Sequence, residues 1–494
     1  MRKLIVSLIA TLLWVSLSGE TLHLRVASQN DFDRLDFMLG KAIGEAADTV
    51  EIRLGAGCYF FRERHLNLEG LDAPGKHVRI IGEDAVIYPA LDQSSFVPDA
   101  THFLPEGDTM RVFSPPAPIR HASFLVWVVD RKEKICRIRV DEELDSVALK
   151  GGYIYLTQWF RGRSYPVVGI KGRHVYFKAE DLKQQRFLYS VNTDWTFSMQ
   201  YPRYRLINCK GEYAKARQAA ACTFLSLHDA CLDSFQIEGI RFVGNRRLSE
   251  APDDALFQLT GTRATVHVSR CRFEWIQSDC FLAHDMTGLT VRDCLFSHCG
   301  RRCVFAGHNT ADVHLLCNRV AVSGTGGANV NAFESYGRHF RISGNDISDF
   351  GYGAIRTGIH YTTDKPYEVS GVIDHNQIYQ TPAYFAAAPD ELLMDSGAIY
   401  VSTRNDSVVV RNNLIHHING PTYNRGIFAD DGTSHLTVRD NCLFAIPNHY
   451  AIDIDTRSAW KMRHRRDRKV DSVHEDIVVE GNQVDGKVRI PKKR

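Results

Sequence analysis

Carboxylic acids and aromatic residues recur together in the second half of this chain. Flat aromatic rings can stack on a sugar, and two carboxylates can share the acid and nucleophile roles at a glycosidic bond. Crowded carboxylates also repel one another, which raises the proton affinity of at least one of them and suits a general acid near neutral pH. Several acids cluster here, Asp395, Asp430 and Asp431 among them, and carboxylates so placed could take such roles. The candidate substrate-binding residues are Glu334, Arg356, Tyr400, Phe428, Asp453 and Asp455.

These residues lie within a repeated pattern that begins near residue 235. Each unit reads apolar, polar, polar, asparagine or cysteine, any residue, and apolar, as in Ile342–Ile347. The units are short, alternating and rich in β-branched residues, so they predict stacked strands and not strand–helix repeats. The sequence therefore predicts an all-β fold, a right-handed parallel β-helix of the pectin-lyase-like kind. The fourth position of successive units is Ile240, Cys271, Cys294, Asn318, Asn345, Asn376, Asn413, Asn441 and Asn482.

Asparagine at a recurring corner has a physical reason. It tolerates left-handed backbone, and its amide can hydrogen-bond the coils above and below, which predicts an internal ladder. Cys271 and Cys294 take ladder positions as small buried groups, and no Cys-x-x-Cys spacing accompanies them. We therefore expect most of the twelve cysteines to be reduced and buried, with no metal and no cofactor.

The strand before each corner predicts which side chains face outward, because strand side chains alternate. Aligned on inward-facing Leu256, Phe281, Val304 and Val330, the outward face has two columns that turn polar and aromatic in the later coils. The first column is Phe257, Leu282, Phe305, Asn331, Arg356, Tyr400, Phe428 and Asp453. The second is Leu259, His284, Gly307, Phe333, Gly358, Ser402, Asp430 and Asp455.

Four regions follow along the 494 residues. Residues 1–19 carry a charged start, an apolar run and small residues, the parts of a secretory signal, so we expect a secreted or periplasmic protein. Residues 20–110 form the first coils and a cap, with an amphipathic segment at Asp31–Ala47. Residues 111–205 break the repeat and predict an inserted β module, and residues 206–490 form the main solenoid. No later apolar run is long enough for a membrane span, and a net charge of +2 gives no global field that favours nucleic acid.

A motif resemblance adds a family expectation. The stretches Met394–Tyr400, Val408–His417 and Gly426–Ser434 resemble the β-helical glycoside hydrolases. They are most similar to the family 141-like group of α-L-fucosidases and xylanases, with family 120 as a cousin. The resemblance implies catalytic roles for Asp395 and Asp430, with Asp431 where the group has glutamate and Phe428 where it has tyrosine. It also implies an oligo- or polysaccharide substrate, and we expect a monomer.

The pairing of the acids stays open at this stage. Asp395 precedes Ile399 by four residues and Asp430 follows Ile427 by three, so the two can meet only if the chain turns sharply near Gly397. The alternative is Asp430 with Asp455 one coil on. Two other functions also remain open: a polysaccharide lyase, with Arg356 as the base and often Ca²⁺, and a non-catalytic glycan-binding solenoid.

Overall fold

The chain forms a right-handed parallel β-helix, as its repeats predict. The structure is a computed structural model. It describes residues 21–45, 47–61, 64–89, 109–113, 123–139, 153–158, 161–178, 185–188, 203–208, 223–245, 255–276, 278–324, 330–358, 369–382, 396–418, 424–447, 450–454 and 476–490.

Three parallel ladders of strands run along the helix. Ladder A contains Arg64–Asn67, Thr223–Ser226, Ala255–Thr260, Asp279–His284, Val304–Ala306, Asn331–Ser335, Gly353–Thr357, the first parts of Ser396–Arg411 and Asn424–Arg439, Tyr450–Ile454 and Lys487–Arg489. Ladder B contains Thr21–Val26, Thr49–Leu54, His77–Gly82, Ser234–Glu238, Thr265–Ser269, Thr287–Arg292, Ala311–Leu316, Phe340–Ser343, Ser370–Asp374, the later parts of the same two long strands, and Ile477–Glu480. Ladder C contains Gly57–Phe61, Ala85–Pro89, Arg241–Asn245, Arg272–Ile276, Leu295–Cys299, Arg319–Ser323, Asp346–Phe350, Gln377–Tyr379, Leu414–His416, Cys442–Phe444 and Gln483–Val484.

Two short helices pack onto the first coil, within the segment that the sequence marks as amphipathic. Gln29–Asp33 begins with a capping box between Ser28 and Asp31, and Leu35–Ile43 follows it. Phe32, in the first helix, stacks on His65 of the first ladder A strand at 4.0 Å. Because Phe32, Leu35 and Leu39 are buried in the continuous core, the helices exclude water from the apolar end of the solenoid.

The coils continue across a long insertion. Ladder C runs to Pro89, and ladder A resumes at Thr223, where Thr223–Ser226 pairs in parallel with Arg64–Asn67. Between them an antiparallel sheet of eight strands is described, a different strand arrangement from the parallel coils. Its strands are Thr109–Phe113, Ser123–Asp130, Ile135–Arg139, Tyr153–Gln158, Arg161–Lys171, His174–Lys178, Gln185–Leu188 and Arg203–Asn208.

The predicted asparagine ladder is confirmed. The Nδ2 atom of each of Asn318, Asn345, Asn376, Asn413 and Asn441 donates to the Oδ1 atom of the next asparagine at 2.9–3.0 Å. Each backbone N–H donates to the same oxygen. One detail differs from the prediction. The residue with left-handed backbone precedes the ladder position, as His375 (φ 56°) precedes Asn376. The corner therefore divides two tasks between neighbouring residues, the turn and the amide ladder.

The described cysteines agree with a reduced interior. Ten of the twelve are described, none of these ten is in a disulfide, and six are buried. The ladder extends to Cys294 through its backbone, because the Cys294 N–H donates to Asn318 Oδ1 at 3.0 Å. The ladder thus begins at the cysteines, where a thiol fills the corner space.

Candidate active site on the outer face of ladder A

The outer face of ladder A places one residue of each coil in register. Successive partners are Leu282, Phe305, Glu334, Arg356, Tyr400, Phe428, Asp453 and Arg489. Neighbouring coils lie roughly 4.8 Å apart, so these side chains form a continuous row along the solenoid. We call Glu334, Tyr336, Arg356, Tyr400 and Asp430 the central row.

Two coils differ from the predicted register. Phe257 pairs with inward-facing Phe281, so Phe257 belongs to the core and Gln258 takes its outward place. Phe333 likewise pairs with Ile355, which makes Glu334 and not Asn331 the outward residue. Both phenylalanines are fully buried. The first inward position is Phe257 and not Leu256, one residue later than predicted, and Phe333 and not Val330, three residues later. A shift by an odd number of residues exchanges the two faces of a strand.

Glu334 is held by donors on both of its oxygens. Asn331 donates to Oε1 from Nδ2 at 2.9 Å and from its backbone N–H at 3.2 Å, and Tyr336 donates to Oε2 at 2.8 Å. Arg302 lies 3.6 Å from Oε2. Desolvation raises the pKa of the Tyr336 phenol, and the nearby carboxylate adds to this against the opposing charge of Arg356. The phenol therefore keeps its proton and donates a hydrogen bond to Glu334 Oε2.

Arg356 occupies the centre of the row between two tyrosines. Its guanidinium carbon lies 5.1 Å from the Tyr400 ring centre and 6.0 Å from that of Tyr336. Burial by itself would lower the pKa of Arg356, but Tyr336, Tyr400 and Glu334 raise it overall above its ordinary value. Arg356 is therefore a permanent cation, which can bind oxygen atoms of a ligand but cannot accept a proton.

Asp430 closes the row on the other side. The Tyr400 hydroxyl donates to Asp430 Oδ2 at 2.9 Å, and Ser402, one coil away in register, is fully buried beneath it. The central row thus reads carboxylate, phenol, guanidinium, phenol, carboxylate. These contacts hold two acids and one cation in fixed positions relative to one another, and Glu334, Arg356, Tyr400 and Asp430 are themselves largely buried in the described structure.

Asp453 and Phe428 contact arginine side chains inside the protein. Arg425 Nε donates to Asp453 Oδ2 at 2.6 Å, and Arg489 donates to both carboxylate oxygens. The same Arg425 lies 3.7 Å from the centre of the Phe428 ring. Asp453, Phe428 and the Arg425 side chain are all fully buried. None of the three presents a surface to a ligand in this conformation, although the sequence selects the first two as binding residues.

The remaining candidate acids are only partly described. Asp395 and Asp455 lie outside the described residues, and of Asp431 only the backbone is described, within the strand Asn424–Arg439. Gly397 lies in the strand Ser396–Arg411, in register with Arg425, and the turn predicted between Asp395 and Gly397 falls partly outside the described residues. Gly397 is required there for packing, because an added Cβ would lie 2.8 Å from that of Phe428.

A buried ion cluster next to Glu334 was not recognised from the sequence. Asp279 is fully buried and accepts from Arg302 at 2.5 and 3.0 Å, and Arg301 lies 3.4 Å away. Burial raises the pKa of Asp279, but the two arginines outweigh it and hold that pKa below its ordinary value. The only sequence signal was the Arg301–Arg302 pair in the very short connection before Val304. The cluster supports Glu334 through Arg302.

Among the described side chains, no group of three or more histidine, cysteine or acidic residues has the geometry to hold a metal ion. Within the same part of the chain, no helix has the length and apolarity needed to cross a membrane.

Comparisons with known proteins agree on the fold. The model of the family described as "Right handed beta helix region" matches residues 255–464. A solved structure described as "Glycoside hydrolase" is 13% identical, with 92% of each chain covered and a TM-score of 0.53. The tailspike protein gp49 from Pseudomonas phage LKA1 is 10% identical over 91% of this chain and 75% of its own, with a TM-score of 0.16. No curated protein matches the chain. At 13% identity the likeness to the first of these structures establishes the β-helix and nothing finer.

Proposed function

We propose that this protein is a secreted carbohydrate-active enzyme, a glycoside hydrolase that cleaves its substrate on the outer face of ladder A. The observation that carries the proposal is the central row, in which a tyrosine hydroxyl orients each of two carboxylates around Arg356. The 92% coverage of a chain described as a glycoside hydrolase is compatible with this function. Export rests on the sequence of residues 1–19 alone.

We assign the reacting carboxylate to Asp430. Its Oδ2 atom is oriented by Tyr400, while Glu334 is already surrounded by four donors and is better suited to holding a substrate hydroxyl or Arg302 than to exchanging a proton. Glu334 and Asp430 are also three coils apart, roughly 14 Å along the axis. That separation exceeds the roughly 5–9.5 Å of a glycosidase pair. We assign the partner of Asp430 to Asp431 or Asp395, with Asp455 one coil on as the alternative, and we assign Arg356 and Tyr400 to binding the sugar.

The lyase alternative is disfavoured by one feature of the site. A lyase needs a base that removes a proton from the sugar ring, and Arg356 is the basic residue that the row offers. Because its neighbours raise the pKa of Arg356 above the ordinary value, it stays protonated and cannot act in this way.

The test is a screen of plant and host polysaccharides for new reducing ends, with absorbance of an unsaturated product measured in parallel. We expect Asp430→Asn to lower turnover at least about 100-fold, with an unchanged melting temperature. The matched control is Asp485→Asn, an exposed aspartate just after the last strand of ladder C, which should keep full activity. Full activity of Asp430→Asn, Asp431→Asn and Asp395→Asn would refute the assignment, and an unsaturated product would identify a lyase.

A further inference from the structure

Three buried thiols meet at the corner where ladder C passes into ladder A. Cys299 ends the strand Leu295–Cys299, Cys303 precedes the strand Val304–Ala306, and Cys280 lies in the coil below. Each of the three is fully buried and belongs to the continuous apolar core. This cluster is separate from the asparagine corner, where Cys271 and Cys294 lie between ladders B and C.

The sulfur atoms are already in contact. Cys280 Sγ lies 3.7 Å from Cys299 Sγ, and Cys303 is hydrogen-bonded to Cys299 through its side chain. The backbones are held in the same arrangement, because Cys280 N–H donates to Arg302 O at 2.9 Å and Phe281 N–H to Cys303 O at 3.2 Å. A disulfide would shorten this 3.7 Å contact to about 2.05 Å.

The same corner holds the arginines that support the central row. Arg301 and Arg302 lie between Cys299 and Cys303, and they bind Asp279, the residue before Cys280. Arg302 also reaches Glu334 in the next coil. A covalent link between Cys280 and Cys299 would therefore join the two coils directly beneath this ion cluster.

We propose that Cys280 and Cys299 form a disulfide bond when the chain folds in the presence of a small-molecule disulfide. The two thiols give up two protons and two electrons and form one S–S bond, and the oxidant disulfide is reduced to two thiols. Cys303 remains a thiol beside the bridge. The proposal concerns cysteine chemistry only and is independent of the hydrolase assignment.

Burial determines when the reaction takes place. Exchange requires a thiolate that can reach its partner, and burial raises the pKa of Cys280 and Cys303 well above the ordinary thiol value. Attack by an external reagent is therefore blocked once the coils have stacked. The bond forms during folding and is afterwards protected from reductant in the native protein.

The experiment refolds the full chain in a glutathione redox buffer, blocks free thiols with iodoacetamide in denaturant, and maps the peptides by mass spectrometry. We expect one cross-linked pair that contains Cys280 and Cys299, with Cys303 alkylated. Exposed Cys317 serves as the internal control and should react with iodoacetamide even in the native protein. In Cys303→Ser the same link should form, and in Cys299→Ser it should be lost.

Two further outcomes decide the proposal. Dithiothreitol should leave the link intact in the native protein and remove it in denaturant, with a lower melting temperature for the reduced form. Alkylation of both Cys280 and Cys299 after oxidative refolding would overturn the proposal, as would a link between Cys299 and Cys303. Both results are read without any substrate.

Discussion

Replacing Asp453 by asparagine tests whether this residue supports the fold and not the ligand. Asparagine has the same shape but no charge, so the variant leaves the Arg425 guanidinium without its carboxylate in a fully buried position. Arg489, with a side chain 25% exposed, can turn toward water, whereas Arg425 cannot. The perturbation therefore removes the carboxylate partner of one buried guanidinium.

The expected loss of stability follows from that geometry. Removing one partner of a buried ion pair costs about 3–5 kcal/mol, and the remaining asparagine oxygen can still accept one hydrogen bond. We therefore expect a loss near the lower value, about 3 kcal/mol. The paired substitution Asp453→Asn with Arg425→Met should recover part of the loss, because it removes the stranded charge as well.

Urea unfolding followed by circular dichroism measures the difference. The control is Asp440→Asn, which removes an exposed partner of Arg439 at 3.0 Å and should change stability by less than about 1 kcal/mol. If Asp453→Asn and Asp440→Asn have the same small effect, or if Arg425→Met worsens the first variant, the buried-charge argument is wrong.

Three further predictions concern the ladder, the cap and the site. Asn413→Ala leaves a buried N–H of Asn376 without its acceptor, so we expect the free energy of unfolding in urea to fall by about 3 kcal/mol. Asn413→Cys should lower it less, and equal losses would contradict the role given to the ladder cysteines. Burial lowers the pKa of His65 to about 4, so the unfolded chain binds its proton first as pH falls. Stability should drop by roughly 3 kcal/mol between pH 6.5 and 4, while His65→Phe should remove this part of a measured pH–stability curve, and an unchanged curve would exclude it. Tyr400→Phe keeps its ring beside Arg356 but loses the bond to Asp430, so we expect kcat/KM on a substrate found in the screen to fall about 10–100-fold with unchanged folding; full activity would show that Tyr400 does not orient Asp430.

The repeat determines the corner of the β-helix but not the register of every strand. Asn345 and Asn376 are found at their ladder positions because a buried amide must pair with the coils above and below, and few other residues can do this. The strand before the corner has no such marker. Loops of unequal length separate it from the asparagine, so Leu256 and Phe257 are equally plausible inward residues by sequence, and only the pairing of Phe257 with Phe281 decides between them.

The candidate site shows the same division between what the sequence determines and what the tertiary structure determines. Acids, aromatics and Arg356 could be selected from the sequence because their chemistry is local to each residue, and Tyr400 with Asp430 follows from two neighbouring coils. The burial of Asp453 could not be selected, because its two arginines come from strands 28 and 36 residues away along the chain. Sequence determines which chemical groups the coils carry. The stacking of distant coils determines which of these groups are neutralised by ion pairs inside the protein and which hydrogen-bond to one another on the outer face of ladder A, because ion pairs and burial depend on distances in space that the loops conceal.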